Sequence, residues 1–396
     1  MKRVVLGLLA VLSAYPAVSE TLRFQYHDGD QYRYYGTTTQ RIYINKKFAQ
    51  TNVQEYRVSY SVSEADDQGG RLNGHTTVVS HLGDDTAGAI SEDYDTSYHV
   101  DVQGAYVVPG DQILPVVRNV PTFPAGDLKQ GDTWEGSGEE LHDLRAEFGV
   151  DRLLRVPFAV SYTYQGTTVR DGKTLHVVQS DYSFDTPTGF QSSREVYPIR
   201  FSGTSHQFHY FNQEKGREEG YEETYELTLT MNTGDVFDFV GKGSTFLVEA
   251  KVMDKPAVAD EVKKGLEQNG LGNVEVKAVP RGVTINLDNI QFTGDSSELA
   301  ASEQQKLQVI GDILKKYPDR DILVEGHTAD VAGGKEPQKL SEDRAAAVGN
   351  FLLSLGVRQP NQITYKGWGA TKPLAPNDTE EHRAKNRRVE ITILEN

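Results

Sequence analysis

His327 stands three residues before Asp330 in the stretch Gly326-His327-Thr328-Ala329-Asp330. An imidazole that close to a carboxylate invites an acid–base or metal reading. No second ligand follows at metal-binding spacing, and the ten histidines contain no His-Glu-x-x-His or other paired arrangement. Cysteine is absent, which removes thiolate metal sites, cysteine nucleophiles, disulfide scaffolds and acyl-cysteine anchors. Asp84, Asp85, Glu92, Asp93 and Asp95 are acids enough for a Ca²⁺, but their spacing fits no calcium loop and reads as a solvated acidic loop. Arg383, Lys385, Arg387 and Arg388 form a basic cluster with two readings: a ligand-facing rim, or a turn fixed by Asn386 and Arg387. No catalytic residue, metal ligand or cofactor site emerges from these clusters.

The composition narrows the partners. The chain has 396 residues, room for two or three domains at roughly 100–200 residues each. Lys+Arg number 41 against 57 Asp+Glu, a net charge of −16. A balance this acidic argues against nucleic acid and anionic lipid as main partners. Hydrophobic residues make up 37% and mean hydropathy is −0.53, which fits a folded soluble chain. At the N-terminus, Lys2 and Arg3 precede an apolar run from Val4 to Ala14, and Ala17-Val18-Ser19 offers small residues to a peptidase. This predicts a removable secretory signal over 1–19, with a mature start at Glu20.

Residues 20–240 read as β. Seventeen of the 20 tyrosines fall between Tyr26 and Tyr225. Period-two alternation places Tyr56, Val58, Tyr60 and Val62 on one face, and does the same for Phe158, Val160, Tyr162 and Tyr164 and for Tyr225, Leu227, Leu229 and Met231. Asp171-Gly172 and Asn232-Thr233-Gly234-Asp235 predict hairpin turns. Pro109, Pro115, Pro121 and Pro124 keep the middle out of central strands, and 139–148 has the pattern of a short helix. The clean alternations cover seven or eight residues, short of the roughly 9–11 that a membrane strand needs. The expectation is a soluble sandwich or half-barrel, with an outer-membrane barrel as the rival.

Residues 241–280 predict a small β-α-β connector. Asp254-Lys255-Pro256 opens its helix, Val258, Val262 and Leu266 share a face, and Gly270 ends it. From 281 to 396 the pattern becomes β-α-β-α-β-β, a mixed sheet with helices on one face. Ser302 with Gln305 forms a predicted capping box, Ser341 is the predicted cap of the second helix, and Gly356 stops it. The fold class is therefore multidomain α+β: signal 1–19, β-rich domain 20–240, connector 241–280 and mixed domain 281–396.

The last of these resembles the C-terminal domain of outer-membrane protein A and its relatives, the OmpA-like peptidoglycan-binding family. The resemblance rests on Val324-Glu325-Gly326-His327-Thr328, Leu340-Ser341-Glu342-Asp343-Arg344-Ala345, Gly367-Trp368-Gly369 with Pro373 and Asn377, and Asn386-Arg387-Arg388-Val389-Glu390-Ile391. It covers residues ~281–396 and says nothing of 20–240. It implies non-covalent binding of the peptidoglycan stem peptide at diaminopimelate, whose side-chain end carries an ammonium and a carboxylate. Arg344 matches the family's arginine, and its planar fork suits that carboxylate. The predicted cap at Ser341 sets Arg344 in the first turn of its helix, where free N–H groups favour an anion. His327 becomes a loop-packing residue.

Three positions depart from the family pattern. Ala329 replaces the usual Asp, Pro337 replaces an Asn, and Thr293 follows Phe292 where Asp is common. The Gly-His-Thr-Ala variant resembles divergent spirochaete members. Three readings follow: Asp330 or Asp295 supplies the missing acid; the stem peptide differs at its third residue; or wall binding is lost and the domain is a scaffold. The ligand-binding set is Arg344, Asp330, Asp295, Thr328 and Arg388. The resemblance places the protein in the periplasm, associated with the outer membrane. It implies a non-enzymatic link between wall and envelope, whose β domain meets the outer membrane or an envelope protein.

Overall fold

The computed structural model describes residues 20–81, 86–110, 112–248, 253–288, 290, 292, 297–330 and 336–395. The expected signal segment, Asp84, Asp85, Thr293 and Asp295 lie outside the described residues. Two compact units form a mostly-β chain with few helices: residues up to Thr76 with Tyr94–Val248, and Thr77–Asp93 with Glu249–Asn396.

The first unit draws on β1 (Gln31–Ile44), β2 (Lys47–Ser63), β3 (Gly69–Ser80), β4 (Gly88–Asp101), β5 (Tyr106–Val107), β6 (Val117–Arg118), β7 (Thr133–His142), α1 (Arg145–Phe148), β8 (Leu154–Arg170), β9 (Lys173–Pro187), β10 (Pro198–Asn212), β11 (Arg217–Met231) and β12 (Val236–Leu247). The ends of β3 and β4 that face each other in sequence belong to the second unit. Antiparallel pairing runs β2-β1-β12-β11-β10-β9-β8-β7-β6, with β5 on β4. Both expected hairpins form. Asp171 and Gly172 take φ of 49° and 75°, which matches the strand twist. Met231 N–H donates to the Asp235 carbonyl at 2.8 Å to close the other. Phe158, Val160, Tyr162 and Tyr164 are all buried on one face of β8.

The strands are longer than the clean alternations suggest, 14–17 residues for most. The inward positions of β9–β11 are polar in part, so hydropathy loses the period while the ladder continues. These groups satisfy one another, as buried polar groups must. Ser205 Oγ donates to Glu223 at 2.7 Å, Gln207 donates to the same carboxylate at 2.9 Å, and His209 bridges Ser180 (2.9 Å) and Glu218 (2.7 Å). Burial raises the Glu223 carboxyl above its ordinary pKa. The helix expected over 139–148 shrinks to α1. β7 runs on through His142 because Glu140, inside the sheet, accepts from Tyr182 at 2.9 Å and bonds His142 at 2.7 Å.

The second unit contains α2 (Lys255–Gln268), β13 (Glu275–Val279), β14 (Gly282–Asp288), α3 (Ala301–Leu314), β15 (Ile322–Gly326), α4 (Pro337–Ser354), β16 (Ile363–Gly367), α5 (Glu380–Asn386) and β17 (Arg388–Leu394). Its sheet runs β13-β14-β17-β15-β16, and the 88–89 segment of β4 adds a parallel edge on β16, Gly88 opposite Thr364 and Ala89 opposite Tyr365. The residues expected as a connector divide: β12 ends in the first unit, while α2 and β13 extend this second sheet. Val283, Ile285, Ile322, Val324, Ile363, Ile391 and Ile393 meet Val262, Leu266, Leu307, Ile310, Leu314, Val348 and Leu352 in one core. Each buried aliphatic side chain contributes about 1.5–3 kcal/mol.

Asp254 caps α2 as expected, accepting from Ala257 N–H at 3.1 Å. The other two predicted caps are corrected. α3 starts at Ala301 after Ala300, with no side-chain cap, so Ser302 lies inside it. α4 starts at Pro337, whose missing N–H and fixed φ suit a first helical position, so Ser341 lies one turn inside. α5 was not expected; Thr379 caps it by accepting from His382 N–H at 3.2 Å.

Candidate ligand site at the end of β15 and α4

Glycine sets the position of α4. A methyl group on Gly367 would meet Glu342 N at 2.5 Å and Ser341 Oγ at 2.6 Å, and one on Gly326 would collide with the Ser341 carbonyl. The backbone of α4 therefore rests directly on the ends of β15 and β16. Ser341, fully buried, donates to the Gln338 carbonyl at 2.7 Å and accepts Gly369 N–H at 2.8 Å. The Gly-Trp-Gly stretch and Ser341 are thus a lock between sheet and helix.

Arg344 projects from this fixed helix. Because α4 begins at Pro337, Arg344 sits beyond its first turn, and the expected help from free N–H groups is withdrawn: those amides are bonded within the helix. Its guanidinium carbon lies 4.8 Å from the centroid of Phe292, a cation–π platform. Any grip on an anion comes from the guanidinium itself.

Thr328 and Asp330 lie on the segment leaving β15. Thr328 N–H donates to the Gly369 carbonyl at 2.9 Å, and its buried hydroxyl has no hydrogen-bond partner among the described residues. Asp330 is exposed, and its N–H donates to Asn377 Oδ1 at 3.2 Å. Asn377 is held by Asn386, which is fully buried: its Oδ1 accepts from Leu374 and Ala375, and its Nδ2 donates to the Ala375 carbonyl and Asn377 Oδ1.

Arg388 is buried and engaged. It donates to Glu390 at 2.7 Å and to the Lys372 carbonyl at 3.2 Å, while its own carbonyl accepts His327 N–H at 3.0 Å. Burial first, then the Arg388 charge, lowers the His327 pKa to about 3, so its ring stays neutral near pH 7. The rest of the basic cluster is paired within α5 and its ends, Arg383 and Arg387 with Glu380 and Lys385 with Glu381. On the acidic segment, Asp93 pairs with Lys366 at 2.7 Å. In the first unit, Asp95 pairs with His75 at 2.8 Å. No group of acids and histidines among the described residues is arranged to hold a metal ion.

Two features were not anticipated. Phe292 underlies Arg344, although only its place in the motif was evident. Glu325, almost fully buried, is matched to Arg281 and accepts from Trp368 Nε1 at 2.7 Å, with Lys372 Nζ 3.3 Å from the Trp368 ring centroid. The apolar run Ile322-Leu323-Val324 marks a buried strand but gives no sign that Glu325 after it is buried as well.

Residues 291–387 match the model of the OmpA family. Outer membrane porin F of Pseudomonas aeruginosa is 34% identical over 143 residues, 35% of this chain and 41% of that protein. The peptidoglycan-binding protein ArfA of Mycobacterium bovis is 36% identical over 104 residues, 26% of this chain and 32% of that protein. The chain thus spans less than half the length of either. Among solved structures, the periplasmic domain of Helicobacter pylori MotB is 31% identical, covering 31% of this chain and 81% of that one, with a TM-score of 0.29. Residues 291–387, about a quarter of the chain, form an OmpA-like domain.

Proposed function

We propose that the chain is a non-enzymatic periplasmic protein, directed there by its 1–19 segment, whose OmpA-like domain holds the peptidoglycan stem peptide. The observation that carries this is Arg344, presented over Phe292 by a helix that Gly326, Gly367 and Ser341 fix against the sheet. Arg344 takes the ligand's carboxylate. Thr328 Oγ1, buried and unsatisfied among the described residues, supplies a neutral hydrogen bond. Asp330, or Asp295 three residues after Phe292, is the acid for the ammonium in place of the residue that Ala329 replaces. Arg388 acts through the loop it braces. The name of the ArfA relative supports peptidoglycan as the partner class.

The test uses the mature chain with insoluble sacculi. The protein pellets with them at low salt, and Arg344→Ala lowers retention about ten- to hundredfold, the loss of one charge-assisted contact worth ~1.5–3 kcal/mol. A parent protein left in the supernatant, or a variant that pellets equally, overturns the reading.

The strand lengths favour a second reading, an outer-membrane barrel with a periplasmic anchor. Against it, Phe158, Val160, Tyr162, Phe184 and Phe201 are buried against one another in an apolar core, whereas a membrane barrel turns its apolar face to lipid. The mature chain stays monodisperse without detergent if the soluble reading holds.

A further inference from the structure

We infer that the first unit carries a saccharide site, a shallow pocket built on Trp134 that takes one pyranose ring. The pocket measures about 460 Å³, within the range of ~300–1,000 Å³ usual for small ligands. Its lining includes Pro124, Asp127, Leu128, Asp132, Thr133 and Trp134. The indole is fixed from two sides. Tyr162 stacks on it with ring centroids 5.1 Å apart at 15°, and its N–H donates to the Thr122 carbonyl at 2.9 Å. What remains of the half-buried indole lines the pocket. The negative face of such a ring attracts polarised C–H groups, and a pyranose presents a row of them on its less polar side.

The loop beside the indole is held as firmly. Leu128 N–H donates to the Glu20 carbonyl at 3.0 Å, Gly131 N–H donates to the Tyr164 carbonyl at 2.8 Å, and the Asp132 carbonyl accepts Tyr164 N–H at 2.9 Å. Two carboxylates take their orientation from this loop. Asp127 Oδ1 accepts from the Thr21 hydroxyl, and Asp132 Oδ2 accepts Lys129 N–H at 2.8 Å. The second oxygen of each has no partner among the described residues. Each acid is thus anchored by one oxygen and offers the other as a strong acceptor for a sugar hydroxyl. The approach is open: a methyl group on Gly126 or Gly131 would meet nothing within 4 Å.

The mixture of groups selects the occupant. Two acids beside an indole would also suit an organic cation. Lys129, exposed on the same loop between the two acids, opposes a cation. Together with the exposed Thr133 hydroxyl it supplies hydrogen-bond donors that a cation cannot use. Acceptors, donors and an aromatic face side by side match a neutral polyol, which presents hydroxyls of both kinds around an apolar ring face.

The experiment titrates the mature chain, in a Trp368→Phe background, with the trimers of N-acetylglucosamine and of glucose, two sources of the same ring chemistry. Trp134 is then the sole tryptophan. Its emission shifts to the blue and saturates with at least one trimer, as the sugar displaces water from the indole. Asp132→Asn weakens that sugar about tenfold. Gly126→Tyr, at a position with room for a side chain, fills the pocket and abolishes the sugar-induced shift. An unchanged melting temperature shows that both variants fold. Arg344→Ala leaves the sugar response unchanged, so this site and the wall-binding reading fail independently. No shift with either trimer, a shift that survives Gly126→Tyr, or a shift produced by tetramethylammonium and not by sugar overturns the inference; the last would identify a cation site.

Discussion

Gly367→Ala tests whether α4 is set by direct backbone contact. The added methyl lies 2.5 Å from Glu342 N and 2.8 Å from Glu342 Cα, both helix backbone, and 2.6 Å from Ser341 Oγ. Reaching 3.0 Å, the limit of real contacts, requires the helix to retreat by about half an ångström. No rotamer change relieves it. Overpacking of this kind costs ~1–3 kcal/mol, and the buried Ser341–Gly369 bond is stretched as well, so we expect a loss of about 2–3 kcal/mol in the second unit. The chain's two tryptophans fall in different units, Trp134 in the first and Trp368 in the second. With Trp134→Phe as background, urea unfolding followed by Trp368 fluorescence reports the second unit alone. At a slope of ~2 kcal/mol/M the midpoint falls by about 1 M. Gly356→Ala is the control: its φ is 64° with nothing within 4 Å, so only the left-handed conformation is penalised, ~1 kcal/mol. A Gly367→Ala midpoint equal to that of its parent would refute the claim that backbone packing fixes Arg344.

Other outcomes follow from the same geometry. The His327 pKa lies below its unfolded value, so its contribution is intact above pH ~6.5 and erodes as pH falls toward 3, at ~1.4 kcal/mol per unit. His327→Gln should therefore flatten the acid limb of stability against pH between 6.5 and 4; a slope identical to the parent's would contradict the neutral buried ring. Asn386→Ala should cost ~2–4 kcal/mol and speed hydrogen exchange at Leu374 and Ala375, whose amides it holds. Unchanged protection at those two amides would show that the loop is held otherwise.

Local patterns carried some parts of this fold and not others. Period-two alternation in β8, the two hairpin turns and the Asp254 cap are local, and each is visible within about ten residues. The strands of the first unit outrun their patterns because Ser205, Gln207, His209 and Glu223 look outward-facing in any hydropathy reading, yet inside the fold Ser205, Gln207 and Glu223 bond one another and His209 bonds Ser180 and Glu218. Ser341 has the residue type of a helix cap, but its hydroxyl is used three-dimensionally, against Gly369, and Pro337 starts the helix instead. α5 had its signal, Thr379 before Glu380 and Glu381, hidden among turn residues. For the site, Arg344 came through the family motif, while its Phe292 support depended on two segments distant in sequence.

The 77–93 segment has an implication for biosynthesis. Ala87 N–H donates to Asn350 Oδ1, 263 residues further on, and its methyl lies where Gly349 leaves room. At ~5–20 residues per second, a ribosome needs tens of seconds to deliver that acceptor after Ala87 has been made. The 88–89 backbone waits slightly longer, for Thr364 and Tyr365 of β16, so a nascent chain carries this segment unpaired until then, and a product truncated before residue 364 would keep it so. A C-terminal fragment made alone would show the converse fault, an open β16 edge prone to pair with a second copy.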